Sequence, residues 1–418
     1  MAPDRNWALQ ADHDDPLARY RQSFVIPAGV NYLDGNSLGA LPRATAEHLG
    51  SVVAEQWAQR LIRSWNEGWH ELPARVGDAI GTHLLGAAPG QVVVADSTTV
   101  NFYKLSAAAL DAAPERRLIL TDTANFPTDR YVLEGHAQSR DLEIRYLPTN
   151  AEAGPTVEQI RELADTATAL VTLSHVDFRS GALADMPAIT KAAHDVGALV
   201  LWDLSHSTGV VPVELDAAGV DLAVGCTYKY LNGGPGAPAF LYVRADLQDR
   251  LSQPIWGWYG QQDQFAMGPV YRPVPGIGKF LSGTPSVLGA SAVEASVAVL
   301  AEAGIDRIHR KAQALTALAV DLFDECLAGQ GFTLASPRDP DLRGGHVTFA
   351  HPESYRICRA LIEVENVIPD FRTPDRLRLG FSPLTTRFVD VYDGIAAIAR
   401  IVANAVHTGF SAERLTVT

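Results

Sequence analysis

Lys229 lies in a sequence context that is unusual for a charged residue. It follows the apolar run Leu222–Gly225, has a tyrosine on each side and precedes a glycine-rich turn that ends at Gly236. Lysine is rarely buried without a partner, and desolvation lowers its pKa, which is what imine formation with a carbonyl group requires. Lys229 is therefore a candidate Schiff-base lysine. The alternative is a surface lysine whose stem covers apolar neighbours.

A second group of reactive side chains, Asp203, Ser205 and His206, directly follows the apolar pair Leu201–Trp202. A carboxylate at a strand end could pair with a protonated ring nitrogen, and it could equally cap the following turn. The 26 residues from Asp203 to Lys229 correspond to one strand–connection–strand excursion. Because ligands of open α/β sheets bind beyond the carboxyl ends of strands, both side chains are predicted at one sheet edge.

A third candidate follows the run Val92–Ala95, where the segment 96–99 (Asp-Ser-Thr-Thr) precedes a helical stretch. Free N–H groups at a helix start, with adjacent hydroxyls, bind phosphate. Taken alone, the segment also fits a plain N-cap. Pyridoxal phosphate (PLP) requires a phosphate cradle, an acid for its ring nitrogen and a Schiff-base lysine, and the chain supplies all three in that order. The combination predicts a PLP-dependent enzyme.

The elements that must position these groups are short runs rich in β-branched residues. They are Val92–Ala95, Leu118–Thr121, Glu143–Leu147, Ala169–Leu173, Ala198–Trp202, Leu222–Gly225 and Ala239–Val243. The runs are continuous, as in strands buried on both faces, and amphipathic stretches such as Thr99–Ala112 and Asp185–Val196 lie between them. This alternation predicts an α/β fold with a mostly parallel sheet and helices on both faces.

The pattern changes near residue 285. Helices are predicted at Ser286–Ala303, Ile305–Gln330 and Phe388–His407, and strands at His346–Ala350 and Arg376–Phe381. This order predicts a smaller C-terminal α+β domain. The expected division is an N-terminal arm at residues 1–50, a large PLP-binding domain at 51–300 and a small domain at 301–418 that packs with the arm.

The composition narrows the possible partners. The 418 residues carry a formal net charge of −14, which argues against nucleic acid or an anionic membrane as a partner. The cysteines Cys226, Cys326 and Cys358 form no C-x-x-C pair, so no disulfide framework, cysteine zinc site or other metal site is predicted. Residues 1–23 contain no apolar signal segment, and apolar runs fall far short of the ~20 residues of a membrane span. A cytoplasmic protein is expected.

Longer motifs carry a resemblance to one family. They are Tyr32–Gly39, Ile62–Trp65, Asn125–Asp129, Trp202–Ser207, Gly225–Gly236, Gly257–Gly260, Phe280–Thr284 and Arg343–Val347. With these motifs the chain resembles kynureninase of the bacterial type, a PLP enzyme of fold type I, from about Asp15 to Val402. The resemblance implies hydrolysis of the Cβ–Cγ bond of L-kynurenine to anthranilate and L-alanine in tryptophan catabolism. It also implies a homodimer whose subunits share their active sites.

The resemblance further implies roles for individual residues. Cofactor contacts are expected from Thr98 and Thr99 (phosphate), Phe126 (ring stacking), Pro127, Thr128, Asp129, Asp203 (ring nitrogen), His206, Tyr228 and Lys229, with Trp258 and Thr284 reaching the phosphate from the neighbouring subunit. Lys229, Tyr228 and Asp203 are the expected catalytic residues, with Tyr228 relaying protons. Substrate contacts are expected from Ser37, Trp65, Gly283 and Arg378.

Arg378 is expected to hold the substrate α-carboxylate through the two-pronged guanidinium geometry. The alternative is an ordinary charged residue on a strand of the small domain. Arg376, two residues earlier, is predicted on the opposite face of that strand. Trp65 with Gly283 and Thr284 resembles the ring pocket of family members that prefer unsubstituted kynurenine to 3-hydroxykynurenine. Trp65 could instead be simple core filling.

Two departures from the family pattern concern the substrate side. This chain has Asp177-Phe178 where the family commonly has Asn-Tyr, and Thr385 where a tyrosine commonly follows Pro-Leu. Three other readings stay open at this point. They are another PLP lyase or aminotransferase of the same fold, for example a cysteine desulfurase, an enzyme for ring-modified kynurenines, and a catalytically silent PLP-fold protein. The desulfurase reaction requires a nucleophilic cysteine, and Cys326 and Cys358 both fall in predicted helices.

Overall fold

The computed structural model describes residues 3–150 and 152–414. Its strands are β1 (Phe24–Val25), β2 (Asn31–Tyr32), β3 (Leu41–Pro42), β4 (Val92–Val94), β5 (Leu118–Asp122), β6 (Glu143–Leu147), β7 (Thr168–Ser174), β8 (Leu199–Asp203), β9 (Leu222–Gly225), β10 (Phe240–Val243), β11 (Thr333–Leu334), β12 (His346–Ala350), β13 (Val367–Ile368), β14 (Asp370–Arg372) and β15 (Arg376–Gly380).

The α-helices are α1 (Arg5–Asp14), α2 (Arg43–Ser51), α3 (Leu72–Leu84), α4 (Thr98–Asp111), α5 (Pro127–Arg140), α6 (Val157–Leu163), α7 (Met186–Asp195), α8 (Ala245–Gln248), α9 (Val287–Ala303), α10 (Ile305–Cys326), α11 (Ser354–Ala360) and α12 (Phe388–Ala403). Helix α2 continues as a π-helical segment at Val52–Arg60 and a 3₁₀ turn at Leu61–Trp65.

A seven-stranded sheet in the order β4-β10-β9-β8-β7-β5-β6 forms the centre of the molecule. All its pairings are parallel except those of β10, which is antiparallel to both neighbours. Successive residues of one strand enter different apolar clusters: Val92 and Val94 face one and Val93 the other. Helices therefore cover both faces, which is why the strand sequences are continuously apolar. The predicted α/β fold is confirmed.

A four-stranded antiparallel sheet in the order β11-β12-β15-β14 organises the C-terminal part of the chain. One of its faces packs into a separate apolar cluster with α10, α11 and α12, and this cluster includes Leu377 and Leu379 of β15. The kink between α9 and α10 falls at Gly304, whose φ of 82° lies in the left-handed region that glycine tolerates best.

The N-terminal segment is bound to this C-terminal part. Strand β2 pairs in parallel with β13, and the Asp12 carboxylate accepts hydrogen bonds from the first N–H groups of α12. Lys311 of α10 forms a buried ion pair with Asp15 at 2.6 Å. These contacts agree with an arm that packs on the small domain, while the boundaries at residues 50 and 300 stay predictions.

In the part of the chain that the structure describes, no single helix is long and apolar enough to cross a membrane. Helices α9 and α10 reach that length and composition only as a pair, and the pair is bent by 80°.

Candidate active site

A cavity of about 190 Å³ opens at the carboxyl ends of β7 and β8. Of the residues predicted to bind the cofactor, it is lined by Thr98, Thr99, Phe126, Thr128, Asp129, Asp203, His206, Tyr228 and Lys229. Ser97, Ser174, Val176, Phe178 and Ser205 complete its wall. Parallel strands bring their carboxyl ends to one edge of the sheet, and side chains scattered over more than a hundred residues of sequence meet there.

Lys229 reaches this cavity from the loop between β9 and β10. The loop folds back on itself, since Asn232 donates its backbone N–H to the Lys229 carbonyl and Gly233 donates to Thr227. Gly39 of the N-terminal segment lies directly against this loop, because a Cβ at that position would be 2.3 Å from the Lys229 carbonyl oxygen. The ammonium nitrogen of Lys229 lies 2.9 Å from Nε2 of His206.

His206 is buried, and desolvation together with the nearby charge of Lys229 holds its pKa well below the usual value. The ring is therefore neutral at pH 7. Since Nε2 accepts from Lys229, the ring proton is assigned to Nδ1. Nδ1 has no hydrogen-bond partner among the described residues, so a buried donor remains for a bound molecule.

Asp203 and Asp129 form a carboxyl pair on the same wall. Asp203, at the end of β8, accepts the N–H of Ser205 at 2.8 Å. Asp129 is 1% exposed, and burial followed by the charge of Asp203 raises its pKa well above the usual value. One Asp129 oxygen, Oδ2, has no partner in the described structure. Burial and the charge of Asp203 thus favour the protonated form of Asp129.

The start of α4 is the predicted phosphate cradle. Ser97 is the N-cap, and its side chain accepts from the N–H of Val100 at 3.4 Å. The N–H groups of the first turn are left for a ligand, so capping and phosphate binding coexist here. Asp96, whose charge would oppose a phosphate, pairs with the fully buried ammonium of Lys104. Lys104 also donates to the Phe280 carbonyl at 2.8 Å.

Phe126 forms the opposite wall of the cavity. The Asn125 side-chain oxygen accepts the N–H of Phe126 at 2.8 Å and the hydroxyl of Ser174 at 2.9 Å, which fixes the turn before α5. The ring packs edge-to-face on Phe178 with centroids 5.2 Å apart, and the ring itself remains 37% exposed. An aromatic face is thus available for stacking. Pro127 is the first residue of α5 and does not line the cavity.

Gly283 and Thr284 line a second cavity, of about 400 Å³, that shares Ser97, Thr98 and Tyr228 with the first. They lie beside the phosphate cradle of their own chain. Burial raises the pKa of the Tyr228 phenol, which keeps it protonated at the junction of the two cavities.

Trp65 and Trp258 line neither cavity. Trp65 packs edge-on against Trp69 at 5.5 Å and lies 6.2 Å from the Tyr259 ring, next to the core on that side of the sheet. Trp258 is 42% exposed. Both rings pack against Tyr259, whose N–H donates to the carbonyl of Ser282, the residue before Gly283. Within one chain, Trp65 is at least partly core filling.

Arg378 and Ser37 meet on a buried polar face of the C-terminal sheet. Arg378 binds Asp370 through Nε and Nη2, and Nη2 also donates to Ser37 Oγ at 3.1 Å. The Asp370 contact was not predicted. The prediction that Arg376 lies on the opposite face is wrong: residues two apart in a strand share a face, and Arg376 is the cross-strand partner of Arg372. Arg376 instead lies near Asp375, at 3.3 Å.

The two departures from the family pattern have local structural roles. Asp177 accepts the N–H groups of Arg179 and Ser180 at 2.8 and 2.7 Å, and so closes the turn that carries Phe178. The Phe178 carbonyl in turn accepts from Arg378. Thr385 is buried, and its N–H donates to the Ser382 carbonyl at 2.8 Å in the turn before α12.

A larger and more open cavity, of about 870 Å³, lies between the N-terminal segment and α12. The arginines on its wall are already paired, for example Arg21 with Asp390 at 3.0 Å and Arg400 with Glu365 at 2.7 Å. None of the predicted site residues lines it. The first cavity is therefore the candidate active site.

The residues of this site fit PLP. The first turn of α4 offers N–H groups for a phosphate, Phe126 offers a ring face, and Lys229 offers an amine in the same cavity. Asp129 Oδ2 and His206 Nδ1 are buried polar atoms without a partner in the described structure, as expected of groups that face a polar ligand.

Solved structures of cysteine desulfurases share this architecture. The apo structure of a cysteine desulfurase from Thermococcus onnurineus aligns with a TM-score of 0.79 at 19% identity, covering 97% of this chain and 100% of that chain. A cysteine desulfurase from Escherichia coli aligns with a TM-score of 0.77 at 20% identity, covering 93% and 98%. At such identities the likeness concerns the fold. Fold and site together define a PLP-dependent enzyme of fold type I.

Curated kynureninases match nearly the whole chain. The proteins from Burkholderia pseudomallei and Pseudomonas fluorescens are each 45% identical, over 405 and 403 residues, and cover 95% of this chain and 95% of their own length. The family model described as the kynureninase C-terminal domain matches residues 308–398. The chain belongs to the kynureninase family.

Proposed function

We propose that this chain hydrolyses the Cβ–Cγ bond of L-kynurenine, giving anthranilate and L-alanine in tryptophan catabolism. The observation that carries the proposal is the 45% identity to kynureninases over 95% of the chain. The first cavity, which Lys229 lines, supports the proposal because its residues fit the PLP that such chemistry requires. When bound, PLP is an electron sink for bonds at the substrate α-carbon and its neighbours.

Lys229 would carry the cofactor, and its freed amine would move a proton. His206 supports both roles, since its neutral ring accepts a hydrogen bond from the Lys229 nitrogen at 2.9 Å and leaves that nitrogen at a fixed place. Because the His206 ring is neutral, it orients the Lys229 amine without placing another charge near the cofactor phosphate.

Asp203 and Asp129 hold a proton on the pyridine nitrogen. A negative charge beside a ring nitrogen favours its protonated form, and burial strengthens the effect because water does not screen it. Asp129 is the member whose neutral form is favoured, because burial and the charge of Asp203 raise its pKa well above the usual value. Asp129 then serves as a hydrogen-bond partner.

Tyr228 is the proton donor for the alanine side of the broken bond. Its phenol lines the junction of the two cavities and stays protonated because burial raises its pKa. On the substrate side, Arg378 and Ser37 receive the α-carboxylate, and Gly283 and Thr284 face the aniline ring. Trp65 completes the ring pocket only if a second subunit or a rearrangement brings it to Thr284.

The direct test incubates the purified protein with PLP and L-kynurenine. Anthranilate, followed by its fluorescence, and L-alanine are expected in equal amounts. With 3-hydroxykynurenine, kcat/KM is expected to be about tenfold to a hundredfold lower, because an unmatched buried hydroxyl costs about 1–3 kcal/mol. Absence of anthranilate would contradict the function. Equal or better use of the hydroxylated substrate would contradict the ring-pocket assignment and favour ring-modified kynurenines.

The chain does not offer the nucleophile of a cysteine desulfurase. Burial raises the pKa of Cys226, Cys326 and Cys358, whereas a reactive thiol requires a lowered pKa. Cys358 is fully buried on α11, and Cys326 lies on α10. The PLP-fold likeness to cysteine desulfurases therefore does not extend to their reaction.

We further propose a homodimer with shared sites. Two segments expose large apolar side chains that a monomer would keep in water: Trp57, Leu61 and Ile62 in one, and Trp256, Trp258, Phe265 and Met267 in the other. Exposed apolar surface of this extent is typical of an interface. The second segment borders the Gly283–Thr284 loop, because Tyr259 donates its N–H to the Ser282 carbonyl. The first segment leads to Trp65, whose ring lies 6.2 Å from that of Tyr259. A second chain bound there would lie beside the predicted phosphate cradle.

Subunit complementation tests the shared site. Lys229→Ala and Trp258→Ala are each expected to be inactive alone at a PLP concentration that saturates only the wild type. Mixed and reassociated, they should recover about a quarter of wild-type activity, because half of the dimers are mixed and each then contains one intact site. No recovery in a demonstrated mixed dimer would place Trp258 in the site of its own chain.

A further inference from the structure

Asp370 and Arg372 of β14 and Arg376 and Arg378 of β15 project from one face of the C-terminal sheet. The register pairs Asp370 with Arg378 and Arg372 with Arg376, and directly opposed residues share a face. The alternate residues, including Leu377, enter the apolar core on the other side. The polar face therefore carries three guanidiniums, and those of Arg372 and Arg378 contact its one buried carboxylate, Asp370. Arg378 also donates to the carbonyl of Phe178, which borders the cofactor cavity.

Arg378 has little hydrogen-bonding capacity left for a substrate. Of its five N–H donors, Nε and one Nη2 donor bind Asp370, the second Nη2 donor binds Ser37, and one Nη1 donor binds the Phe178 carbonyl. One Nη1 donor remains, and the side chain is 1% exposed. A carboxylate has two oxygens, so Arg378 alone cannot provide the forked contact that its residue type suggests.

Arg372 is the more open of the two arginines. It binds Asp370 Oδ2 at 2.7 Å, yet its side chain is 36% exposed. Its Nη2 also lies 3.4 Å from Ser37 Oγ, the hydroxyl that contacts Arg378. The charge of Arg372 acts on both Tyr228 and His206, which places it within electrostatic reach of the cavity.

The charges around these arginines favour an incoming anion. Asp34, next to Asp370, has its pKa raised to about 7 by burial and then by the charge of Asp370. At or below neutral pH the group of Asp34, Asp370, Arg372 and Arg378 thus carries a net positive charge. A substrate carboxylate would neutralise it.

We propose that Arg372 binds the substrate α-carboxylate together with Arg378, and that Asp370 is the positioning residue that fixes both guanidiniums. The inference rests on the proposed function, since it assigns the carboxylate of an α-amino acid substrate to this face. Asp370 occupies Nε and Nη2 of Arg378. The substrate carboxylate would therefore bind the remaining Nη1 donor of Arg378 and the exposed edge of the Arg372 guanidinium.

The test measures carboxylate recognition apart from turnover. The absorbance of the PLP-loaded enzyme is titrated with L-alanine, the expected product, and with L-alaninamide, which keeps the amine and lacks the charge. The wild type should bind L-alanine more tightly. Arg372→Gln should reduce the ratio of the two affinities about tenfold or more, because charge-assisted hydrogen bonds are lost, while the affinity for L-alaninamide stays the same. Arg376→Gln, the cross-strand neighbour, should keep the wild-type ratio.

Three results would overturn the proposal: an unchanged ratio in Arg372→Gln, an equal loss of affinity for both ligands, or the same change in Arg376→Gln. If Arg372→Gln does not fold, Arg372→Lys decides. It keeps the charge but loses the planar fork, and a reduced ratio is expected, whereas a wild-type ratio would overturn the proposal. Failure of the proposed function is distinguishable, because it appears as absence of kynurenine hydrolysis by the wild type while the titration with L-alanine can still be read.

Discussion

Lys229→Ala is expected to lower kynurenine hydrolysis by about ten-thousandfold or more, because it removes both the group that carries the cofactor and the amine that moves the proton. Lys229 lines the candidate active site, whereas the buried lysines Lys104 and Lys311 are held by Asp96 and Asp15. Borohydride reduction of the wild type should fix PLP to the peptide that contains Lys229. Turnover is followed by anthranilate fluorescence, and labelling by mass spectrometry.

The matched control is Lys191→Ala, which removes an exposed lysine paired with Asp195 on α7. It should keep wild-type turnover and the wild-type label. Lys229→Ala should still fold, because the Lys229 backbone and not its side chain makes the loop contacts to Asn232 and Gly39. A label on any other lysine, or a folded Lys229→Ala protein with near-normal turnover, contradicts the assignment.

The central sheet could be predicted because the apolar sequence of each strand shows that the strand is buried. The seven apolar runs all form strands of that sheet, with ends shifted by one residue at most, for example Ala198–Trp202 against Leu199–Asp203. Strands buried on both faces are short, continuous apolar runs rich in β-branched residues, and their length and composition separate them from buried helices. The turns between them are marked by glycine and polar residues.

The short pairings could not be predicted, because they depend on contacts between distant segments. Strand β2 has two residues and forms only because β13, more than three hundred residues later, lies beside it. The π-helical segment at Val52–Arg60 likewise has no sequence signal that separates it from a continued α2. Local propensity is weak over such lengths, and tertiary packing decides.

The site was predictable to the extent that its residues follow strands. Asp203 and Lys229 were located by position alone, whereas Lys104 and Asp370 were missed. A lysine between Phe102 and Leu105, on a helix that lies among apolar strands, was a readable signal, since such a charge must find a partner. For Asp370 the signal was that charged and apolar residues alternate along β14 and β15, which puts the charged residues on one face. The prediction that Arg376 lies on the opposite face misinterpreted this alternation.

Asp203→Asn is expected to preserve folding and most PLP binding while lowering kcat by about a hundredfold to ten-thousandfold. The contact that shapes the turn survives, because an amide oxygen can also accept the Ser205 N–H that now lies 2.8 Å from Asp203. An amide has no charge, however, and cannot hold a proton on the pyridine nitrogen. The measurement is kcat by anthranilate release, with the cofactor content of each preparation read from its absorbance.

Asp129→Asn is the matched control, since it makes the same substitution on the other carboxyl of the pair. The pKa of Asp129 is raised well above the usual value by burial and by Asp203, which favours its neutral form, so an amide at this position changes the charge less than an amide at Asp203 does. Asp129→Asn should therefore reduce kcat far less than Asp203→Asn. The reverse order would show that Asp129 is the ionised member, and near-normal turnover by both variants would show that neither carboxyl controls the ring nitrogen.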